Sequence, residues 1–331
     1  MRTIAIEEHF LAQADREITR GAANQGSGAQ PMPMMTPERQ AKLADLAALR
    51  LQDMDQGGID VQVLSNIGSA VAAGQTDVAE AVRLARGTND QLAATIATHP
   101  DRFAGFAILP MTQPEAAADE LERAVRSLGL RGAMIHGTTD GRFLDDPAFL
   151  PVLERAAALA VPIYLHPAPP PAPVRAAYYS DLDPAVGYVL ATSGWGWHAE
   201  TGLHALRLIL AGVFDRLPTL QLIIGHMGEM IPYMLARIDD TLTPVSTRLQ
   251  RPVGEYFLRH FFITTSGFFT DPPLLLALQV VGADRILFSV DYPFSANERG
   301  RAFLDHAAIS PADREKISHL NAERLLRLAN T

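Results

Sequence analysis

The sequence predicts an α/β fold, a (β/α)₈ TIM barrel with loop insertions after strands 1 and 5. Three observations carry this expectation. Short apolar runs alternate with helix-length segments about eight times along 331 residues, the count of a closed barrel. The runs are nearly continuous in apolar residues, as strands buried on both faces should be. Histidines and acids stand at the ends of the runs, where enzymes of this fold keep their chemistry. An open, doubly wound sheet is the other arrangement open to such a pattern. No Gly-x-Gly-x-x-Gly follows the first run, which counts against a dinucleotide fold.

The first strand is Thr3 to Phe10, Thr-Ile-Ala-Ile-Glu-Glu-His-Phe. Strict alternation puts Glu7 and His9 on one face, with Glu8, Ile4 and Ile6 on the other, beneath the helices. Ala12 to Thr36 follows, polar and rich in Gly and Gln, with Pro-Met-Pro-Met-Met at Pro31–Met35. It is too long for an ordinary connection and reads as a lid or a partner-contact arm. Its methionines read as packing filler. Pro37 to Asp55 predicts one amphipathic helix, stopped by Gly57-Gly58. The remaining strand runs are Val61–Asn66, Phe103–Leu109, Gly132–His136, Val161–His166, Leu220–His226, Phe262–Ser266 and Ile286–Asp291. Helical segments between them include Thr76–His99, Gln113–Leu128, Pro147–Leu159, Thr201–Leu217 and Glu229–Thr243. Pro167 to Glu200 is a Pro-rich insertion that holds both tryptophans, Trp195 and Trp197. Pro244 to His260 reads as a second irregular stretch. With no repeat, low-complexity tract or linker, residues 1–331 are taken as one domain.

Composition removes several function classes. A net charge of −9 without a dense basic run argues against nucleic-acid binding. The absence of Cys excludes disulfides, thiolate ligands and a Cys nucleophile. No apolar run reaches the roughly 20 residues of a membrane span, and no signal-peptide pattern precedes the first strand. A cytoplasmic protein is expected. Lysine is confined to Lys42 and Lys316. Neither ends a strand, so neither is placed to form a Schiff base or a carbamylated metal bridge.

The strand ends are where the chemistry concentrates. The first ends in Glu7 and His9, the fourth in His136, the fifth in His166. The sixth ends in His226, with Glu229 one turn later, the seventh in Thr264, Thr265 and Ser266, and the eighth in Asp291. Four of ten histidines end strands in this register. Carboxylates and imidazoles around one mouth suit Zn²⁺ or Mn²⁺. Each residue has a plainer reading alone. His9 could be a hydrogen-bonded core histidine, and His226 with Glu229 could cap a helix. His166 could cap a strand, and Asp291 could serve a turn.

With these ends assembled, the chain resembles the amidohydrolase superfamily, in its branch of ACMSD-like decarboxylases, and most of all the gamma-resorcylate and 2,3-dihydroxybenzoate decarboxylases. The resemblance rests on Glu-Glu-His-Phe (Glu7–Phe10), Tyr-Leu-His-Pro (Tyr164–Pro167), Gly-His-Met-Gly-Glu (Gly225–Glu229), Ile-Thr-Thr-Ser-Gly (Ile263–Gly267) and Ser-Val-Asp-Tyr-Pro-Phe (Ser289–Phe294). It implies a (β/α)₈ barrel with one divalent metal, Zn²⁺ or Mn²⁺, held by Glu7, His9, His166 and Asp291. It also implies His226 and Glu229 as the catalytic pair, Arg237 contacting substrate across a subunit interface, and a homodimer or homotetramer. Glu-x-His in place of His-x-His, and the lack of a bridging lysine, point to the non-hydrolytic, one-metal branch. Where close relatives carry asparagine at the fourth strand end, this chain carries His136.

The implied reaction is non-oxidative decarboxylation of a small aromatic carboxylic acid of hydroxybenzoic type. The metal would chelate the carboxylate and an ortho hydroxyl, and Asp291 would protonate the ring carbon. His226, oriented by Glu229, would relay protons or polarise the hydroxyl. His136 would reach a ring hydroxyl, and Phe10, Phe294, Trp195 and Trp197 are candidates for an aromatic wall. The alternative is a mononuclear metal hydrolase or hydratase acting on a lactone, amide or unsaturated diacid through the same residues. A non-catalytic barrel is a third reading, which the presence of all four ligand residues argues against.

Overall fold

β-Branched and aromatic side chains fit a pleated surface covered on both sides, and the apolar runs form parallel strands accordingly. The computed structural model describes residues 1–24, 35–68 and 77–328. Among these, the strands are β1 (Ile4–Phe10), β2 (Val61–Asn66), β3 (Phe103–Gly105), β4 (Ala133–His136), β5 (Ile163–His166), β6 (Leu222–Ile224), β7 (Phe261–Thr264) and β8 (Ile286–Leu287). They pair in chain order, β1 to β3 and β4 to β8, all parallel. A parallel bridge between Ala107 and Ala133 crosses the seam between these groups. At the last seam the His9 N–H reaches the Tyr292 carbonyl at 2.7 Å, and the Glu7 N–H reaches Ser289 Oγ at 2.9 Å. With helices between the strands, this is the predicted (β/α)₈ barrel.

Two apolar layers follow from the strand alternation. Ile4, Ile6, Val63, Phe106, Tyr164 and Ile223 fill the barrel, joined by Ala322 and Leu326 of the helix Asn321–Leu326. Ala5, Phe10, Leu64, Ile135, Leu165 and Ile224 face the surrounding helices. This corrects the expectation for β1, in which Ile4 and Ile6 lie under the helices with Glu8. Ala5 pairs with Gln62 but Glu8 pairs with Leu64, so one extra residue sits in β1 between them. The bulge turns Ile6 and Glu7 both inward. Hydrophobic filling and a polar strand end thus share the interior.

Other elements differ from the sequence pattern in detail. Pro37 to Asp55 is two helices, Pro37–Ala44 and Ala48–Gly57. The Asp45 carboxylate accepts the N–H groups of Ala47 (3.0 Å) and Arg50 (3.1 Å) and breaks the helix there. Gly58 ends the second helix with φ of 63°, as a C-terminal glycine should. Pro167 to Glu200 is not irregular: it holds the helices Ala172–Tyr178 and Pro184–Ala191 and the start of Gly196–Leu210. Val253–His260 is likewise helical. After β1 the chain forms the helix Gln13–Asn24, and Asp15 ties it to the end of β2 by accepting from Asn66 Nδ2 at 2.8 Å. The lid-or-arm reading of Ala12–Thr36, and most of the Pro31–Met35 cluster, lie outside the described residues. Among the described residues, no helix is long and apolar enough to cross a membrane.

One buried histidine outside the mouth sets a pH limit on stability. His204 Nε2 accepts the Leu144 N–H at 2.7 Å, and burial pushes its pKa down to about 4. The unfolded chain therefore takes up a proton near pH 6.5 that the folded chain refuses. The stability that neutral His204 contributes is fully present above pH 6.5 and is lost as the pH falls toward 4. We expect His204→Gln, whose side-chain oxygen can accept the same N–H, to lose about 3 kcal/mol less stability than the native chain between pH 7 and pH 4. Urea unfolding at the two pH values checks this.

Candidate metal centre and catalytic site

Glu7 is at the bulge of β1, two residues before His9 and beneath the ends of β5, β6 and β7. Its Oε2 accepts from Tyr164 and Ser266 hydroxyls, and Thr264 Oγ1 lies 3.4 Å away. These donors consume one oxygen and aim the other. Oε1 stands 3.2 Å from His166 Nε2, 3.9 Å from His9 Nε2 and 4.0 Å from His226 Nε2. Gly225 makes room for the carboxylate, since a Cβ there would stand 3.0 Å from Glu7 Oε2.

The two imidazoles are oriented from behind. His9 Nδ1 lies 3.0 Å from Ser65 Oγ, and His166 Nδ1 lies 2.7 Å from the Pro167 carbonyl. The Pro167 carbonyl only accepts, so His166 carries its hydrogen on Nδ1 and turns the Nε2 lone pair to the mouth; His9 does the same when the Ser65 hydroxyl accepts from it. Asp291 Oδ1 is 3.3 Å from His9 Nε2. Its φ of 70° is left-handed, a conformation held by Glu8, whose buried carboxylate accepts the N–H groups of Val290 (2.8 Å) and Tyr292 (3.0 Å) on either side. The ligand atoms of Glu7, His9 and His166 all lie within 4.8 Å of one another. Glu7 Oε1 and His9 Nε2 are buried without a hydrogen-bond partner. Orphaned buried acceptors are rare, and a divalent ion satisfies these, so the residues fit the expected metal.

The electrostatics agree. Burial works to raise Glu7, but its imidazole neighbours, His226 first among them, outweigh it and hold the carboxyl well below its usual range. Burial pushes His9 down to about 3, which keeps it neutral and able to ligate. Burial and the charge of Glu7 raise Asp291 to about 7. Its side chain is still 20% exposed, so a substrate can touch it.

His226 and Glu229 follow β6 on an unusual turn. Residues His226, Met227, Gly228, Glu229 and Met230 all have left-handed φ, between 51° and 85°. Each non-glycine in this region costs roughly 1–2 kcal/mol, so the turn is held by its surroundings. Its result is that Glu229 Oε1 meets His226 Nδ1 at 2.7 Å. Glu229 does not cap a helix: both of its oxygens accept from imidazoles. Burial alone would lower His226, but Glu229 and Glu7 raise it to about 10. Burial would raise Glu229, but the charge of His226 and the bond from His198 hold it below the usual carboxylate value.

Of the remaining candidates, His136 lies beside His166, with ring centroids 4.8 Å apart and its Nε2 buried without a partner. Burial keeps it well below the usual histidine value. Phe294 lies 5.9 Å from the His9 ring. Trp197 donates its indole N–H to His198 at 3.1 Å. Three candidates are not brought into the cluster. Phe10 is fully buried in the outer layer, because alternation after the bulge sends it away from His9. Trp195 is exposed. Arg237 is on the exposed face of the helix Ile231–Leu242. Sequence reasoning missed His198, Tyr164 and Ser65. Tyr164 had a signal, being two residues before His166 on the same strand face.

The chain and its fold have relatives among known proteins. The chain matches the amidohydrolase family over residues 9–328. It is 39% identical to the gamma-resorcylate decarboxylase of Polaromonas sp. over 98% of each chain. The crystal structure of dihydroxybenzoic acid decarboxylase from Polaromonas sp., with bound manganese and the inhibitor 2-nitroresorcinol, superposes with a TM-score of 0.85 at 37% identity, covering 100% of this chain and 98% of that one. The 5-carboxyvanillate decarboxylase of Sphingomonas paucimobilis superposes with a TM-score of 0.90 at 32% identity over 99% of each chain. The strand-end motifs, the barrel and these full-length matches together place the protein in the amidohydrolase family.

Proposed function

We propose that the protein is a metal-dependent, non-oxidative decarboxylase of hydroxybenzoic-type acids, of the resorcylate or dihydroxybenzoate class. The whole chain acts as one barrel domain with one Zn²⁺ or Mn²⁺ and works in the cytoplasm. The observation that carries this reading is the pair of buried, unpartnered atoms, Glu7 Oε1 and His9 Nε2, facing His166 and Asp291. Those four residues would hold the ion. When bound, it supplies Lewis acidity to the substrate carboxylate and its ortho hydroxyl.

The chain's own groups then manage one proton. Asp291 gives it to the ring carbon that bears the carboxylate. The electron pair of the broken C–C bond returns to the ring, and CO₂ leaves. Each turnover takes up one proton, and His226, oriented by Glu229, relays it back to Asp291. His136 bonds a ring hydroxyl, while Phe294 and Trp197 supply aromatic surface. Supplying the metal-loaded protein with 2,6- and 2,3-dihydroxybenzoate, salicylate and a lactone tests this. CO₂ release from a hydroxybenzoate is expected; lactone hydrolysis alone would replace this reading with the hydrolase alternative.

The same reading makes the protein a homodimer or homotetramer. Apolar side chains stand exposed on the segments that follow β5 and β6, among them Tyr178, Val186, Trp195, Tyr233 and Met234, with Tyr233 77% exposed. Surface of this kind marks an interface. It carries Arg237, which would reach the substrate of a neighbouring subunit rather than its own. Arg237→Ala is expected to raise KM about tenfold and leave metal content unchanged. A fall in metal content would show the placement to be wrong, and a single-chain mass by sedimentation would remove the interface.

A further inference from the structure

The site contains a second imidazole on Glu229 that the proposed reaction does not use. His198, on the helix Gly196–Leu210, places Nδ1 2.7 Å from Glu229 Oε2. His226 Nδ1 stands 2.7 Å from the other oxygen. A carboxylate only accepts, so both Nδ1 atoms carry hydrogen. The far side of His198 is fixed as well. Trp197 Nε1–H points at His198 Nε2 from 3.1 Å, and the Ser193 carbonyl lies 3.1 Å from the same nitrogen. The ring therefore has a partner in either protonation state. The ring of Phe268 packs edge-on against both imidazoles, at 6.1 Å from each. The Glu229 side chain is fully buried.

We infer that His198 is a positioning residue: it holds Glu229 by its outer oxygen so that the inner oxygen aligns His226 for proton transfer. The three side chains put ligand-type atoms within 4.8 Å of one another, but the imidazole hydrogens already lie along both carboxylate bonds. A hydrogen-bonded clamp accounts for the cluster without a cation. Without His198, a buried Glu229 oxygen loses its partner and the carboxylate turns to find another. His226 then loses its orientation, although the four candidate metal ligands are untouched.

The kinetic arm of the test rests on the decarboxylase reading; the structural arm does not. In His198→Ala, kcat should fall about tenfold or more, with KM within about twofold and the metal content of the native protein. His198→Asn should recover most of the loss, because the asparagine Nδ2–H occupies the place of the imidazole Nδ1–H. A crystal structure of His198→Ala should show the Glu229 carboxylate rotated off His226. An unmoved Glu229, or a native kcat in the Ala variant, would overturn the inference. So would an Asn variant as slow as Ala with an equally lowered melting temperature, which would leave His198 a packing role only. If the native protein releases no CO₂ from any acid in the panel, the decarboxylase reading fails, and the crystal structure still decides the positioning.

Discussion

Asp291→Asn should lower kcat for CO₂ release by about 10³-fold while the protein keeps its metal and a near-native KM. The reaction must deliver a proton to an aromatic carbon, and the donor must lie beside the bound carboxylate. Asp291 meets both conditions, being 3.3 Å from His9 Nε2 and 20% exposed. Its backbone is pinned on both sides by Glu8, so its position does not depend on its own charge. Asparagine keeps the shape and a ligating oxygen but has no proton to give. A kcat within tenfold of the native value would remove Asp291 as the donor.

The second large effect is on the metal. His166→Ala should weaken binding of Mn²⁺ or Zn²⁺ by at least about 100-fold and abolish turnover at micromolar metal. His166 supplies the imidazole nearest the free oxygen of Glu7, at 3.2 Å, with its ring fixed by the Pro167 carbonyl. Millimolar metal should restore part of the activity, because Glu7, His9 and Asp291 remain. The neighbouring His136, 4.8 Å away ring to ring, provides the contrast. His136→Ala should keep its metal and lose affinity for the aromatic acid. Metal analysis on the two variants separates a ligand from a bystander; metal loss in both would redraw the ligand set.

Much of this centre is legible in the sequence because a (β/α)₈ barrel converts chain order into position. Any residue that ends a strand arrives at the same mouth, so Glu7, His9, His166 and Asp291 can be placed together without knowing the packing. Phe10 illustrates where the rule stops: being next to His9 in sequence sends it to the opposite face. The bulge between Ala5 and Glu8 is also invisible to periodicity. Strict alternation cannot put Ile6 and Glu7 on one face, yet both point inward. His198 lies within an insertion that reads as irregular from its prolines, and only the helix Gly196–Leu210 brings it to Glu229. The left-handed turn from His226 to Met230 has one glycine among five residues. Nothing local demands it; the bonds to Glu229 and the surrounding packing do.

Anomalous diffraction at the manganese edge, from crystals grown with Mn²⁺, tests the central claim most directly. We expect one strong peak per chain, at the point faced by Glu7 Oε1, His9 Nε2, His166 Nε2 and the Asp291 carboxylate. A peak bonded instead to His198 and Glu229, or no ordered ion at saturating Mn²⁺, would contradict it.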